Sequence, residues 1–291
     1  MSLTINNDSA IGFALIALSR SSSLMNEAME RLSTGKRMNK ASDDPAGIHQ
    51  VMRLNAEIQG IETASKNAAD GQSLIDTLET SLSEVQSILL RMRELTIQAI
   101  SDTNSAADRL ALDSELSQLE MEITRIGTTT SFRGKPVFDG TTHYLQIGPR
   151  SGNTLEVQSY TLSASTLGLN QDLTTRSNAE NYLGIIDTAI EDINEKRGAA
   201  GALSNRLDFI MSNLDNSKVN LIKSISNIED TDFAAESMKL AKAKILEQVA
   251  IAMIAQANAR TQWILKLLEN LKKMLHKIHE FKYRKNKHLS F

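Results

Sequence analysis

The chain has 291 residues, a formal net charge of -3 and 41% hydrophobic residues, yet only 4% aromatics, three prolines and no cysteine. Such a length holds one large domain or two smaller ones, and the low Pro and aromatic content points to long helices instead of an enzyme of alternating strands. Without cysteine, disulfides, thiolate metal sites and Cys nucleophiles are excluded. The charge is uneven. Residues 269–291 carry seven Lys/Arg (Lys272, Lys273, Lys277, Lys282, Arg284, Lys285, Lys287) against Glu269 and Glu280, a net +5, so the remaining 268 residues sum to -8. An acidic body argues against nucleic acid as the main partner. No apolar run approaches the ~20 residues of a membrane span, so membrane insertion is not expected.

From the N-terminus, Ala10 to Leu18 resembles the apolar part of a signal peptide, but no Lys or Arg precedes it and its helical pattern continues. It reads as a coiled-coil seam, and any export would proceed without a cleaved signal of that kind. Ile11, Leu15, Leu18, Ser22, Met25, Met29 and Leu32 alternate spacings of 4 and 3, a heptad stripe with one polar member. Gly35 should end this helix. Ser42-Asp43-Asp44-Pro45 predicts a new start, with a capping carboxylate and proline in the first turn. The helical pattern then runs to about Ala99 through Ile75, Leu78, Leu82, Val85, Leu89, Met92 and Thr96. After a polar break at 101–107, Leu112, Leu116, Leu119, Ile123 and Ile126 predict a shorter helix folded back as an antiparallel hairpin.

Between residues 127 and 178 the helical period disappears, and glycines stand at 127, 134, 140, 148, 152 and 168. Tyr144–Ile147 and Thr154–Val157 alternate, with Pro149-Arg150-Ser151-Gly152 between them, which predicts a β-hairpin. Heptads return at Leu183, Ile186, Ile190 and Ile193, then at Leu207, Met211, Leu214, Lys218, Leu221, Ile225 and Ile228. A final helix carries Leu246, Ala250, Met253, Ala257, Arg260, Ile264, Leu267, Leu271, Met274, Ile278 and Phe281. The expected class is mainly α: a long antiparallel helical rod or coiled coil with a small β-hairpin region, whose two ends form one discontinuous terminal domain. Seams with polar members are weakly helical alone and need neighbours.

Candidate chemistry is sparse. His276, His279 and Glu280 share helical spacing, but two histidines make a weak metal site, and a solvated basic face is the plainer reading. His49, His143 and His288 are isolated, and neither an HExxH motif nor a phosphate-binding glycine loop occurs. Asp43 and Asp44, next to Pro45, suit helix capping better than paired catalysis. Met25, Met29 and Met38 are seam or loop residues. No catalytic, cofactor or metal residues are therefore assigned, and no enzyme activity is expected.

Several ordered motifs carry a resemblance. Glu30-Arg31-Leu32-Ser33-Thr34-Gly35-Lys36-Arg37-Met38-Asn39 and Ala41-Ser42-Asp43-Asp44-Pro45-Ala46-Gly47 resemble the N-terminal signature of the bacterial flagellins. Phe132-Arg133-Gly134-Lys135, Leu145-Gln146-Ile147-Gly148, Gly201–Leu207, Ile228–Glu236 and Ala255-Gln256-Ala257-Asn258 are similar to later motifs of that family, in order. The resemblance reaches Leu268. It implies an inner terminal coiled-coil domain at 1–43 with 232–268, a helical rod domain at 44–231 with a β insert at about 127–178, and no outer variable domains. It also implies a secreted, extracellular filament subunit of the flagellum that serves motility and polymerises through its terminal helices.

On this resemblance the polymerisation seam comprises Leu15, Leu18, Met25, Met29, Leu32, Leu246, Met253, Ile264 and Leu267. Arg91, Leu95 and Glu115 match the rod surface that packs subunits and that, in many flagellins, a host Toll-like receptor recognises. Further partners implied are copies of the chain itself, an export chaperone, and cap and hook-associated proteins. A second reading keeps the architecture but makes the chain a junction or surface-displayed homologue that binds a polysaccharide or host receptor. Two departures stand out: Arg260-Thr261-Gln262-Trp263, where the family typically has Pro and a small aliphatic residue, and the atypical basic extension 269–291.

Overall fold

A computed structural model describes the backbone of residues 8–287 and the side chains of residues 11–278. His279, Glu280, Phe281 and His288 therefore have side chains outside the described set. The elements are α1 (Asp8–Thr34), α2 (Pro45–Ile100), α3 (Ala106–Thr129), β1 (Ser131–Phe132), β2 (Lys135–Pro136), β3 (Thr142–Gln146), β4 (Thr154–Gln158), α4 (Arg176–Glu229) and α5 (Phe233–Lys287). They fall into two compact units, Met1–Val51 with Ile225–Phe291, and Met52–Ser224.

The unit Met52–Ser224 is an antiparallel helical bundle. On α2, Ile75, Leu78, Leu82, Val85, Leu89, Met92, Thr96 and Ala99 are all buried, the residues expected from their spacing. Ser105 starts α3: its hydroxyl accepts from the Asp108 N–H while the Asp108 carboxylate accepts from the Ser105 N–H. This capping box follows directly on the polar break and turns α3 back along α2. The Arg109 guanidinium donates to the Ala99 carbonyl at 2.9 Å and closes that corner. On α4, Ala179, Tyr182, Ile186, Ala189, Ile193, Ala200 and Leu207 are buried in the same core. Rungs between α2 and α4 run antiparallel: Arg93 to Asp187 at 2.7 Å, Gln72 to Ser204 at 2.7 Å and Lys218 to Glu62 at 2.7 Å.

The β segment caps this core. β3 and β4 pair antiparallel from Thr142 opposite Gln158 to Gln146 opposite Thr154. Leu155 and Val157 alternate inward and are buried, as period two demands. β1 and β2 form a shorter hairpin around Arg133 (φ +50°) and Gly134 (φ +80°). Two consecutive positive φ angles are those of a two-residue type I′ turn, which Gly tolerates without strain.

The terminal unit is built on α1 and α5. Arg31 in the last turn of α1 meets Glu236 in the first turn of α5, Nη1 to Oε1 at 3.2 Å, so the helices run antiparallel. The covered face of α1 is Ile11, Ala14, Leu18, Ser21, Met25, Ala28 and Leu32. On α5 it is Glu236, Leu240, Ala243, Glu247, Ala250, Ile254, Ala257, Thr261 and Ile264. Both runs alternate 3 and 4, but every second member of α1 and several members of α5 are small. Small side chains bring the helix axes close and leave the larger neighbours outside.

Candidate assembly interface

Two of the sequence motifs meet at one corner of the terminal unit. α1 stops at Gly35, which takes φ +71° and exposes its carbonyl to the Thr231 N–H at 3.0 Å. Arg37 donates its backbone N–H to the Glu229 carbonyl at 2.6 Å and its guanidinium to the Ile228 carbonyl at 2.9 Å. The Lys36 ammonium pairs with Glu229 at 2.7 Å. Asp232 caps α5 by accepting from Ala234 at 2.9 Å and Ala235 at 3.2 Å. The motif around Gly35 thus satisfies the orphan carbonyls at the end of α4, while the Ile228–Glu236 motif starts α5.

Charge inside the corner is balanced. Burial pushes the Glu236 carboxyl up, but hydrogen bonds from Lys239 and Arg31 outweigh it and hold the group below its usual range. Asp44 accepts from the Gly47 N–H at 3.0 Å and caps α2. Asp43 does something else: it accepts from the N–H groups of Asn39 and Lys40, each at 3.0 Å, and these bonds hold its carboxyl low. A Cβ at Gly47 would stand 2.6 Å from the Asp44 carboxylate and 2.7 Å from the Met38 sulfur, so a larger residue there would have to push these side chains aside.

The structure divides the expected seam between two faces. Leu18, Met25, Leu32 and Ile264 lie half-buried in the α1–α5 contact. Leu15, Met29, Leu246, Met253 and Leu267 are exposed. At these steps the expected heptad stands one position off from Ala14, Ser21, Ala28, Glu247 and Ile254, which are covered within the chain. Phe13, Ile16, Leu24, Ile245 and Val249 are also open and were not singled out from the sequence, although a doubled apolar count per turn is the signal that could have found them. Each terminal helix therefore has one stripe used internally and further large apolar residues left open on its flanks.

The second expected surface is split as well. Arg91 donates to Glu115 from Nε at 3.1 Å and Nη2 at 2.8 Å, and to Glu94 from Nη1 at 3.0 Å. Both acidic partners raise the guanidinium pKa, Glu115 first. These groups are accessible. Leu95 is not: at 1% exposure it is buried, since its position on α2 follows the buried face of Met92, Thr96 and Ala99. The apolar side chain that is open next to Arg91 is Leu90.

Elsewhere, the Tyr182 hydroxyl donates to Glu120 at 2.5 Å, within the bundle. Burial raises the Glu120 carboxyl, the Tyr182 hydrogen bond opposes that, and Asp113 adds to it. An open groove near Phe209 is lined by Ile61, Pro149, Ile210, Leu214 and Leu221. No group of three or more metal-ligating side chains occurs among the described residues, and no helix among them is long and apolar enough to cross a membrane.

Paired terminal helices with large apolar residues left open on each, attached in sequence to an antiparallel bundle, define a structural subunit suited to association. Comparison with known proteins agrees. Residues 5–143 match the bacterial flagellin N-terminal helical region and residues 183–268 the bacterial flagellin C-terminal helical region. A flagellin of Halalkalibacterium halodurans is 42% identical, covering 83% of this chain and 91% of that one. A flagellin of Bacillus subtilis is 34% identical over 91% of this chain and all of its own length. A solved flagellar hook-associated protein of Vibrio parahaemolyticus shares the fold at 17% identity, with a TM-score of 0.57 over 65% of this chain and 100% of that one. The chain belongs to the flagellin family and is a structural subunit of the bacterial flagellar filament.

Proposed function

We propose that the chain polymerises through the open stripe of its terminal helices, with the small-residue seam holding each subunit's own ends together. Leu15, Met29, Leu246, Met253 and Leu267, joined by Phe13, Leu24 and Val249, meet neighbouring copies. Leu18, Met25, Leu32 and Ile264 support them from the inner contact. The observation that carries this reading is the exposure of so many large apolar side chains on two helices already paired with each other. Residues 1–43 with 232–268 act as the inner terminal domain. Residues 44–231, with the β insert at 127–178, act as the helical body, and 269–291 are an added extension.

The subunit is secreted and extracellular, leaves the cell with its ends unfolded, and pairs them only weakly until assembly locks them. Intersubunit burial then offsets the entropy of ordering. It meets an export chaperone on the way out and cap and hook-associated proteins at the growing filament. Arg91 and Glu115 form an accessible packing surface that a host Toll-like receptor also reads, with Leu95 as a buried packing residue of α2. The chain performs no catalysis. Tyr182 and Glu120 are engaged with each other inside the bundle, and the five histidines lie apart in sequence except on α5.

The test is seeded growth from heat-dissociated subunits, followed by electron microscopy. The native chain elongates seeds into long filaments. Leu24→Ser with Met253→Ser leaves the melting of residues 52–224 unchanged and stops elongation. Filaments that grow equally well from this variant would overturn the assignment of the stripe.

A further inference from the structure

The flagellin match ends at residue 268, but α5 does not. It continues without a break to Lys287, and from 271 to 278 every side chain is exposed. Over this stretch Ile264, Leu267, Leu268, Leu271, Met274, Leu275 and Ile278 fall on one face, three apolar residues in each seven. Lys266, Lys272, Lys273 and Lys277 lie around the other face with a single acid, Glu269, which pairs with Lys273 at 3.0 Å. Trp263, the sole tryptophan, stands at the start of this segment and is 70% exposed.

We infer that the helix from Trp263 onward is a docking element for an anionic lipid bilayer surface, on which it lies flat with its apolar face down. Charge complementarity selects this occupant. A broad apolar stripe bordered by lysines, with an aromatic residue at one end, is the make-up of helices that bind the headgroup region of acidic membranes. Pairing with the same helix of a second copy is disfavoured by the same residues. With Ile264, Leu271 and Ile278 as first heptad positions, the positions flanking a parallel seam are Asn270, Lys277 and Arg284 on one side and Leu268, Leu275 and Lys282 on the other. No oppositely charged pair results, and Lys277 would face Lys282. The length is too short of apolar residues to span, so the helix rests on the surface. Because Ile264 and Leu267 also belong to the assembly surfaces proposed above, the helix meets a bilayer as part of the unassembled subunit.

Trp263 supplies the readout. Freshly dissociated full-length protein is mixed with phosphatidylglycerol–phosphatidylcholine vesicles, or with phosphatidylcholine vesicles, and tryptophan emission and co-sedimentation are followed. A blue shift and co-sedimentation are expected with the anionic vesicles and are suppressed by salt. Combined Lys272→Glu, Lys273→Glu and Lys277→Glu should weaken binding by about tenfold or more. Deletion of residues 269–291 should abolish it while bundle helicity is retained. Three outcomes overturn the inference: no shift with anionic vesicles, equal binding to neutral vesicles, or a shift that grows with protein concentration in the absence of lipid. The last result would assign the face to a second copy. Seeded filament growth, measured separately, is unaffected by any of them.

Discussion

Gly127 is the residue whose side chain matters most by being absent. A Cβ there would sit 1.9 Å from the carbonyl oxygen of Leu162, a backbone atom held in the chain that leaves the β segment. The neighbour cannot rotate away, so Gly127→Ala must displace α3 or that chain. A loss of about 3 kcal/mol is expected, read as a lower urea midpoint at unchanged slope. Gly71 is a milder case, because the atom its Cβ would meet is the end of the Leu145 side chain, at 2.3 Å. Glu120 provides a pH test. Its carboxyl is raised in the folded state, chiefly by burial, so the folded chain binds a proton that the unfolded chain has already released. Stability from this group is present below its ordinary pKa of 4.5 and is lost as pH rises through the raised value. Glu120→Gln keeps an acceptor for Tyr182 and should flatten that part of the stability–pH curve. A native slope that persists in the variant would assign it elsewhere.

At the scale of elements, α1 and α5 show how one heptad count hides two stripes. Ala14, Ser21 and Ala28 on α1 and Ala243, Ala250 and Ala257 on α5 permit close approach. A larger residue on this seam should separate the helices. Ala243→Leu is expected to cost about 1–3 kcal/mol and to lower the helicity of the isolated subunit by circular dichroism. Met253→Ser, on the open stripe, should leave that signal intact and reduce association in sedimentation. If the two variants behave alike, the stripes are not distinct. The corner between Gly35 and Asp232 belongs to this scale too, since it joins helix ends through backbone bonds that side-chain changes cannot easily replace.

For the whole molecule, the two compact units differ in what holds them. The bundle at 52–224 buries Leu82, Leu89, Met92, Leu116, Ile123, Tyr182, Ile186 and Ile193 completely. Each such side chain contributes roughly 1.5–3 kcal/mol. Among the described residues, the terminal unit's buried apolar residues are Ala14, Ala28, Met38, Val51, Ala243 and Ala250, which offer far less area. Two calorimetric transitions are therefore expected for the unassembled subunit, the lower one from the terminal unit. The lower one should rise more on polymerisation, because the new apolar burial falls on its open stripe. A single cooperative transition in the free subunit would show that the units are not energetically separate.

The mainly helical class, the single β interruption and the core face of α2 could be read from spacing alone. Period 3.6 and period 2 place side chains on faces before any tertiary contact forms. The stop at Gly35 and the start at Pro45 were written in cap chemistry, which is local, and the Ser105–Asp108 capping box seen in the structure is of the same kind. Which of two adjacent stripes α1 and α5 would share was not local: both stripes fit the heptad, and only the opposing helix, by approaching through its alanines, chose one. Leu95, by contrast, was legible locally: it stands three residues after Met92 and four before Ala99, on their buried face, although Arg93 and Glu94 precede it. Local periodicity determined the elements, and mutual packing decided which residues remain available to another molecule.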